Sequence, residues 1–434
     1  LPQPGAGKAM SVKLSIRDEQ LLDGQHGEAA RMAMRILVRM AEVQSAPEMM
    51  DVSQAHIDGC GLLSETGLEF AETLAVKGAK VCIPTTLNMG PLDLQNWRRF
   101  GVNEDFAAKA IRQAKAYTDM ECIPTWTCAP YQSYLTPRFG QQIAWGESNA
   151  ICYANSVLGA RTNRYGDFID ICAAITGRVP RCGLHLKENR KAQILLRLID
   201  IAPAIMRNNA FFATLGHLVG SQAEDKIPVI EGLPVDASSD QLKALCAAAA
   251  SSGEVALFHA IGLTPEANTL EEAFQGGKPE QVIDIRLSDL QKSRADLSTA
   301  KEADMLDLVV LGCPHFSFDE FRELARLIRA QTEKGKMLHP NVKVIVISCQ
   351  TSYALLQRSD FLDVLTDFGV EITLDTCVFH TPMVAPDTKV IMTNSGKCAY
   401  YAPGELGVQV AFGSMAECIA SAVKGHIYRK ETLV

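Results

Sequence analysis

Leu306-Asp307-Leu308-Val309-Val310-Leu311-Gly312-Cys313-Pro314-His315 is the stretch whose reading decides the fold. Leu306 to Leu311 is short and almost wholly apolar, as a strand buried on both faces must be, and a Gly-Cys-Pro turn stops it. An amphipathic helix is predicted from Phe318 to Arg329, followed by a second continuous apolar strand from Val342 to Ser348. A helix at Tyr353–Leu362 and strands at Glu371–Leu374 and Lys389–Thr393 complete the pattern. Strand, helix, strand, helix, strand at this spacing implies a parallel sheet with right-handed crossovers. In such sheets ligands gather at the carboxyl ends of the strands. Those ends read Gly312-Cys313-Pro314-His315, Ser348-Cys349 and Asp375-Thr376-Cys377, so three successive strands each deliver a thiol to one edge.

Working outward, helices are predicted at Ile16–Leu22 and Glu28–Glu42, then a strand at Val52–Ile57 emptying into the Gly59–Gly61 turn. Ser64 or Thr66 caps the next helix, and Lys80–Ile83 reads as a short buried strand, which is βαβ grammar. Ala192–Met206 carries a helical pattern, Phe211 onward reads as strand and turn, and Leu242–Ala250 as helix. Ser288–Lys301 is polar and charged, suited to a domain joint. The chain therefore divides into a linker or tag remnant at residues 1–10, a first α/β domain at 11–150 and a middle α/β domain at 151–290. A C-terminal parallel α/β domain follows at 291–394, with 395–434 returning to the first domain.

Composition narrows the function classes. Of 434 residues 47% are apolar and 21% charged, which excludes a disordered chain and a coiled coil. The net charge of −8 argues against non-specific nucleic-acid or anionic-membrane binding. No apolar run reaches the roughly 18 residues needed to span a bilayer. Thirteen cysteines, an odd number spread over a long chain, do not read as a disulfide framework. They point to the cytoplasm, and to some thiols acting as metal ligands or catalytic groups.

Cys349, between an apolar strand and a helix start, reads as a small buried hydrophobe. Cys313 and Cys377 adjoin turns, where metal or catalytic use competes with simple burial. Cys128 in Thr127-Cys128-Ala129-Pro130-Tyr131 ends an apolar segment where the backbone leaves a sheet, and Cys60 between two glycines is its rival. Three thiolates on an iron cluster leave one iron open as a Lewis acid, whereas a three-cysteine zinc site usually shows a close cysteine pair, absent here.

The zone Glu147-Ser148-Asn149-Ala150 with Ala154-Asn155-Ser156-Val157-Leu158-Gly159-Ala160-Arg161-Thr162-Asn163-Arg164 sets two arginines among Asn, Ser and Thr. Forked guanidinium donors there suit a carboxylate or phosphate. Thr393-Asn394-Ser395-Gly396-Lys397 offers a glycine bend and a cation without the spacing of a nucleotide loop. His56-Ile57-Asp58-Gly59 ends the first strand with an imidazole and a carboxylate, in either a structural or a functional role.

Taken together, these segments resemble the large subunit or catalytic domain of the aconitase X family, over nearly all of residues 11–434. The Glu147–Arg164 zone is the specific part, with His56–Gly59, Thr127–Tyr131, Leu311–Pro314 and Asn394–Lys397 in support. The resemblance implies an α/β, aconitase-like multidomain fold with parallel sheets around an iron–sulfur cluster, 4Fe-4S or 2Fe-2S. It implies Cys128, Cys313 and Cys377 as the ligands, without the CxxC pair of ordinary aconitases. It also implies a hydro-lyase. Bacterial members resemble cis-3-hydroxy-L-proline dehydratases and archaeal ones mevalonate 5-phosphate dehydratases. Arg164-Tyr165-Gly166-Asp167-Phe168-Ile169-Asp170 stands where an acidic-Gly-Gly-Pro pattern is expected of archaeal members, which favours hydroxyproline.

Glu147 and Lys397 are then the catalytic candidates, with Glu147 orienting the ring nitrogen. His56, Asp58, Ser148, Asn155, Ser156, Arg161, Arg164, Asn394 and Ser395 are the substrate-binding ones, Arg161 or Arg164 holding the carboxylate. The partner implied is a small swivelling subunit or fused domain carrying a catalytic serine, because after Lys397 only a helix at Gly413–Lys424 is read. A thiol hydrolase using Cys128 or Cys313 with His315 or His56, and a non-enzymatic binding or scaffold protein, are the competing classes.

Overall fold

The structure is a computed structural model that describes residues 12–62, 64–132 and 135–429. The linker expected at residues 1–10 lies outside them. Its C-terminal sheet has five parallel strands in the order Val370–Leu374, Lys343–Ser348, Leu308–Leu311, Val390–Thr393, Gln409–Phe412. Leu308, Val309, Val310 and Leu311 are all buried, as a central strand covered on both faces requires. The helix Phe318–Thr332 is closed at its start by a capping box between Ser317 and Glu320 and buries Phe321, Leu324, Ala325 and Ile328. The single helix read at 353–362 is two, Gln350–Leu356 and Phe361–Phe368.

Residues 395–429 do not return to the first domain as read. A helix at Gly396–Glu405, a fifth strand at Gln409–Phe412 and a helix at Met415–Lys424 complete the C-terminal sheet instead, because Val390–Thr393 would otherwise be left as an open edge. Helix 396–405 was hidden in the sequence by its internal Pro403 and by Gly404.

The middle sheet is also parallel, in the order His259–Ala260, Pro228–Glu231, Ile194–Leu198, Gln281–Ile285. Two expectations reverse here. Residues 192–206 are a strand followed by a one-turn helix, Pro203–Met206, because the fully buried run at Ile194–Leu196 sits in mid-sheet and Pro203 opens the helix. From Phe211 onward the chain is not strand but helix, Asn209–Ala223. That helix is buried on nearly all sides, so it shows no polar face to betray its period. It packs against Ser239–Gly253 so closely that a Cβ on Gly253 would lie 1.9 Å from the Gly220 carbonyl. The joint expected at 288–301 is largely helix, Leu287–Asp296, and Arg294 locks it to the C-terminal unit through a bidentate bond to buried Glu417 at 2.7 and 2.9 Å.

The N-terminal unit holds a three-stranded parallel sheet in the order Thr85–Leu87, Ala55–Ile57, Ala144–Trp145. Lys80–Ile83, read as a buried strand, is irregular and half exposed, and the strand falls just beyond Pro84. Residues 169–180 stay with this unit rather than opening the middle one, while the helix Ser148–Ser156 packs on Ser239–Gly253 of the middle unit. Helix Ile169–Thr176 packs on Glu28–Val43, and strand Arg178–Pro180 pairs with Met49–Asp51.

Candidate active site

Strand register assembles one wall of the site. His56 is opposite Thr86 on one side and Trp145 on the other. Two residues further on, at the carboxyl end of each strand, stand Asp58, Asn88 and Glu147. Gly146 permits the close approach, since a Cβ there would lie 2.7 Å from Asp58 Cβ. The C-terminal sheet supplies the other wall, with Cys313 after Leu308–Leu311, Cys377 after Val370–Leu374 and Lys397 after Val390–Thr393. Gly312 has φ +96°, and a Cβ on it would meet the Ile347 carbonyl at 2.1 Å. A seam joins the walls: Gly90 N–H donates to the Asp375 carbonyl at 2.6 Å, Thr376 Oγ1 to the Gly90 carbonyl at 3.0 Å and Thr381 Oγ1 to the Pro91 carbonyl at 2.7 Å.

Between the walls is a cavity of about 540 Å³ lined by Asp58, Asn88, Cys128, Glu147, Ser148, Cys313, His315, Cys377, His380 and Lys397, with Tyr401 and Glu405 among its other residues. Three non-glycine residues with left-handed backbone adjoin its chemistry: Trp126 (φ 42°) before Cys128, Glu147 itself (φ 63°), and Asp375 (φ 67°) before Cys377. Strain of this kind persists where surrounding structure holds it, commonly at functional sites.

Glu147 and Lys397 form a buried ion pair, Nζ to Oε1 2.5 Å. Glu147 also caps helix Ser148–Ser156, Oε2 accepting from Ala150 N–H at 2.7 Å and Asn149 Nδ2 at 3.0 Å. Burial alone would raise its pKa, but the Lys397 ammonium and these N–H groups hold it below the usual range. Burial opposes the charge on Lys397 likewise, and Glu147 more than offsets it, so the amine stays protonated. Ser148 Oγ lies 3.4 Å from Glu147 Oε1 and 3.5 Å from Lys397 Nζ.

Cys128, Cys313 and Cys377 share the cavity, and each adds to the field on another. Burial pushes Cys313 and Cys377 up to about 12 and Cys128 higher still. His315 N–H donates to Cys128 Sγ at 3.2 Å. Among the described residues no three His, Cys, Asp or Glu side chains converge as they would on a single ion. An all-sulfur donor set spread round a cavity fits a multi-iron cluster better than a mononuclear zinc. Cys349 and Cys60 are buried and lie outside the cavity lining.

Several sequence candidates serve the framework instead. Asn155 is buried, donating to the Thr162 and Ala256 carbonyls and accepting from Arg190 Nη1 at 3.1 Å. Ser156 Oγ accepts from Phe258 N–H at 2.9 Å. Arg164 is a surface residue bonded to the Glu254 carbonyl and carboxylate, both at 2.8 Å. Arg161 pairs through its backbone with the Gln142 region, and its charge acts on buried His185. Neither arginine lines the cavity, so the structure does not bring the carboxylate clamp read from them to this site. Their zone is polar because it satisfies buried backbone, not because it meets a ligand.

His56 is wholly buried behind the wall, Nδ1 2.8 Å from Thr86 Oγ1. Asn394 lines a small neighbouring pocket of about 30 Å³ behind Cys313. Ser395 caps helix 396–405, accepting from Cys398 N–H at 3.0 Å, and its hydroxyl donates to the Cys313 carbonyl. Asn88, His380, Tyr401 and Glu405 were missed. Asn88 escaped because its strand was placed five residues early. Tyr401 and Glu405 follow Lys397 at i+4 and i+8 on a helix that was not read.

Models of the three aconitase X domains match this chain, the first at residues 11–188, the second at 192–295 and the third at 306–424. The chain belongs to the aconitase X family. Among aconitase X relatives, a cis-3-hydroxy-L-proline dehydratase of Pseudomonas aeruginosa is 44% identical over 416 residues, 95% of this chain and 70% of that protein. One of Hypocrea jecorina is 42% identical over 424 residues, 97% and 70%. The phosphomevalonate dehydratase large subunit of Methanothermobacter thermautotrophicus is 36% identical over 415 residues, 94% and 97%. A crystal structure of Thermococcus kodakaraensis aconitase X in its holo-form superposes with a TM-score of 0.85 at 31% identity, covering 95% of this chain and 100% of that one.

Proposed function

We propose that this aconitase X chain is an iron–sulfur hydro-lyase that removes water from cis-3-hydroxy-L-proline, the resulting enamine tautomerising to Δ1-pyrroline-2-carboxylate. The observation that carries the reading is the single cavity in which three unpaired thiols from two sheets face a buried, protonated lysine. Cys128, Cys313 and Cys377 would hold the cluster, of either the 4Fe-4S or the 2Fe-2S type. When bound it supplies a Lewis acid for the departing hydroxyl.

The chain's own residues do the rest. Lys397 keeps donors beyond the one given to Glu147 and, with Ser148, holds the substrate carboxylate. Glu147 fixes Lys397 as a cation, and with both oxygens occupied it is a poor proton acceptor. The family resemblance assigns the α-proton instead to a serine on a small swivelling subunit or domain closing over the cavity, on the order of 100–150 residues in size. Relatives that are themselves large subunits support such a partner.

Identity to the hydroxyproline dehydratases favours that substrate over mevalonate 5-phosphate, the alternative. A thiol hydrolase is the remoter alternative, and His56, wholly buried and outside the cavity lining, is not placed to serve it as a base. Thirteen unpaired cysteines suit the reducing cytoplasm, and no helix among the described residues is long and apolar enough to cross a membrane. The test is anaerobic assay of both substrates, with and without the small subunit, alongside iron and sulfide analysis. Turnover of mevalonate 5-phosphate alone would replace the substrate, and an iron-free active enzyme would remove the cluster.

A further inference from the structure

The cavity wall opposite Lys397 is built for a positive charge. Asn88 Nδ2 donates to Asp58 Oδ1, which orients the carboxylate, while Oδ2 accepts no hydrogen bond among the described residues. Asn88, fully buried, also leaves its own Oδ1 without a partner among the described residues. Asp58 is only half-buried and lines the cavity, so its free oxygen is the acceptor a ligand can reach, while the buried Asn88 oxygen is closed to one. The surroundings make the demand one for a cation. Burial, then the charges of Glu147 and Asp167, push Asp58 up to about 7, with Lys397 and Asn88 opposing. Behind it Asp170 accepts from the Asp58 N–H at 2.6 Å. Glu147, the other wall carboxylate, is consumed by Lys397 and its own helix cap.

We propose that Asp58, oriented by Asn88, forms a subsite for the secondary ammonium of the substrate, its free carboxylate oxygen accepting one of the two N–H groups. This rests on the reading of the substrate as a cyclic amino acid and replaces Glu147 in the role of holding the ring nitrogen. The logic is charge complementarity to a zwitterion: Lys397 meets the carboxylate on one wall and Asp58 the ammonium on the other. A phosphorylated hydroxy acid has no cation to place there and would leave the subsite unfilled.

The experiment is calorimetric titration of the cluster-loaded protein with L-proline, a zwitterion that has no hydroxyl to lose, and with cyclopentanecarboxylate, which keeps the ring and carboxylate without the nitrogen. Wild type is expected to prefer L-proline by at least about tenfold. Asp58→Asn should lose that preference, while its affinity for cyclopentanecarboxylate stays within about twofold of wild type, which also reports that it is folded. A preference for L-proline undiminished in Asp58→Asn would overturn the subsite. So would a wild type that binds both probes equally, whatever the variant does. Failure of the wild type, with its small subunit, to dehydrate cis-3-hydroxy-L-proline would instead strike the functional reading beneath it.

Discussion

Lys397 Nζ lies 2.5 Å from Glu147 Oε1, although the two residues are 250 positions apart and belong to different sheets. Glu147 is buried and Lys397 largely so, with 17% of its side chain exposed, so neither charge is well tolerated alone. Lys397→Met is expected to cost about 3–5 kcal/mol of stability by stranding the Glu147 carboxylate. Adding Glu147→Gln should recover part of that loss without restoring activity. Denaturant unfolding of the two variants checks this, and equal midpoints for wild type and Lys397→Met would mean that the pair does not hold the walls together.

The thiols can be sorted by one substitution series. Cys128→Ser, Cys313→Ser and Cys377→Ser should each lower bound iron and the visible absorbance of the protein, and abolish dehydration. Cys349→Ser, outside the cavity, should retain both. Full iron retention in the first three would remove the cluster from this site.

Arg161→Lys and Arg164→Lys should leave kcat/KM within about twofold of wild type, because neither guanidinium lines the cavity. For Arg164→Ala the stability loss should be about 0–1 kcal/mol, the range of an exposed pair such as that with Glu254. A tenfold rise in KM for either lysine variant would bring the carboxylate clamp back to the arginines.

Asp170 sets a pH dependence with a definite sign. Burial raises its carboxyl from 3.8 to about 8, the neighbouring N–H bonds opposing. Between those values the folded chain holds a proton that the unfolded chain releases, so stability falls as pH rises through the window. Asp170→Asn keeps an acceptor for the Asp58 N–H and removes the titration. It should flatten the decline in unfolding free energy from pH 5 to pH 8, and an unchanged slope would assign the effect to other groups.

The strand-end rule made much of the site legible. Cys313, Cys377, Glu147 and Lys397 all follow strands and line the cavity; Cys128 lines it too, but from an irregular segment in which Ile123 and Pro124 are exposed. What stayed hidden was hidden for local reasons. The apolar half-turn at Val81–Ile83 imitates a strand, which displaced Asn88 from its place beside Asp58. The helix starting at Gly396 contains Pro403, which masked the stripe of Lys397, Tyr401 and Glu405. Arg161 and Arg164 misled in the opposite direction. A stretch rich in Asn, Ser and Thr reads as ligand-binding, yet Asn155 and Ser156 spend their hydrogen bonds on buried backbone. Helix 209–223 went unread because a helix wrapped in protein has no polar face for periodicity to register.

The division of the thiols between two sheets also orders events during synthesis. Cys128 leaves the ribosome with the N-terminal unit, which contains its own core and sheet and precedes the rest of the chain. Cys313, Cys377 and Lys397 emerge only with the last sheet. A nascent chain thus carries Cys128 without its companions until translation has passed Cys377, and a cluster held by all three thiols, as proposed above, could be completed only after that point.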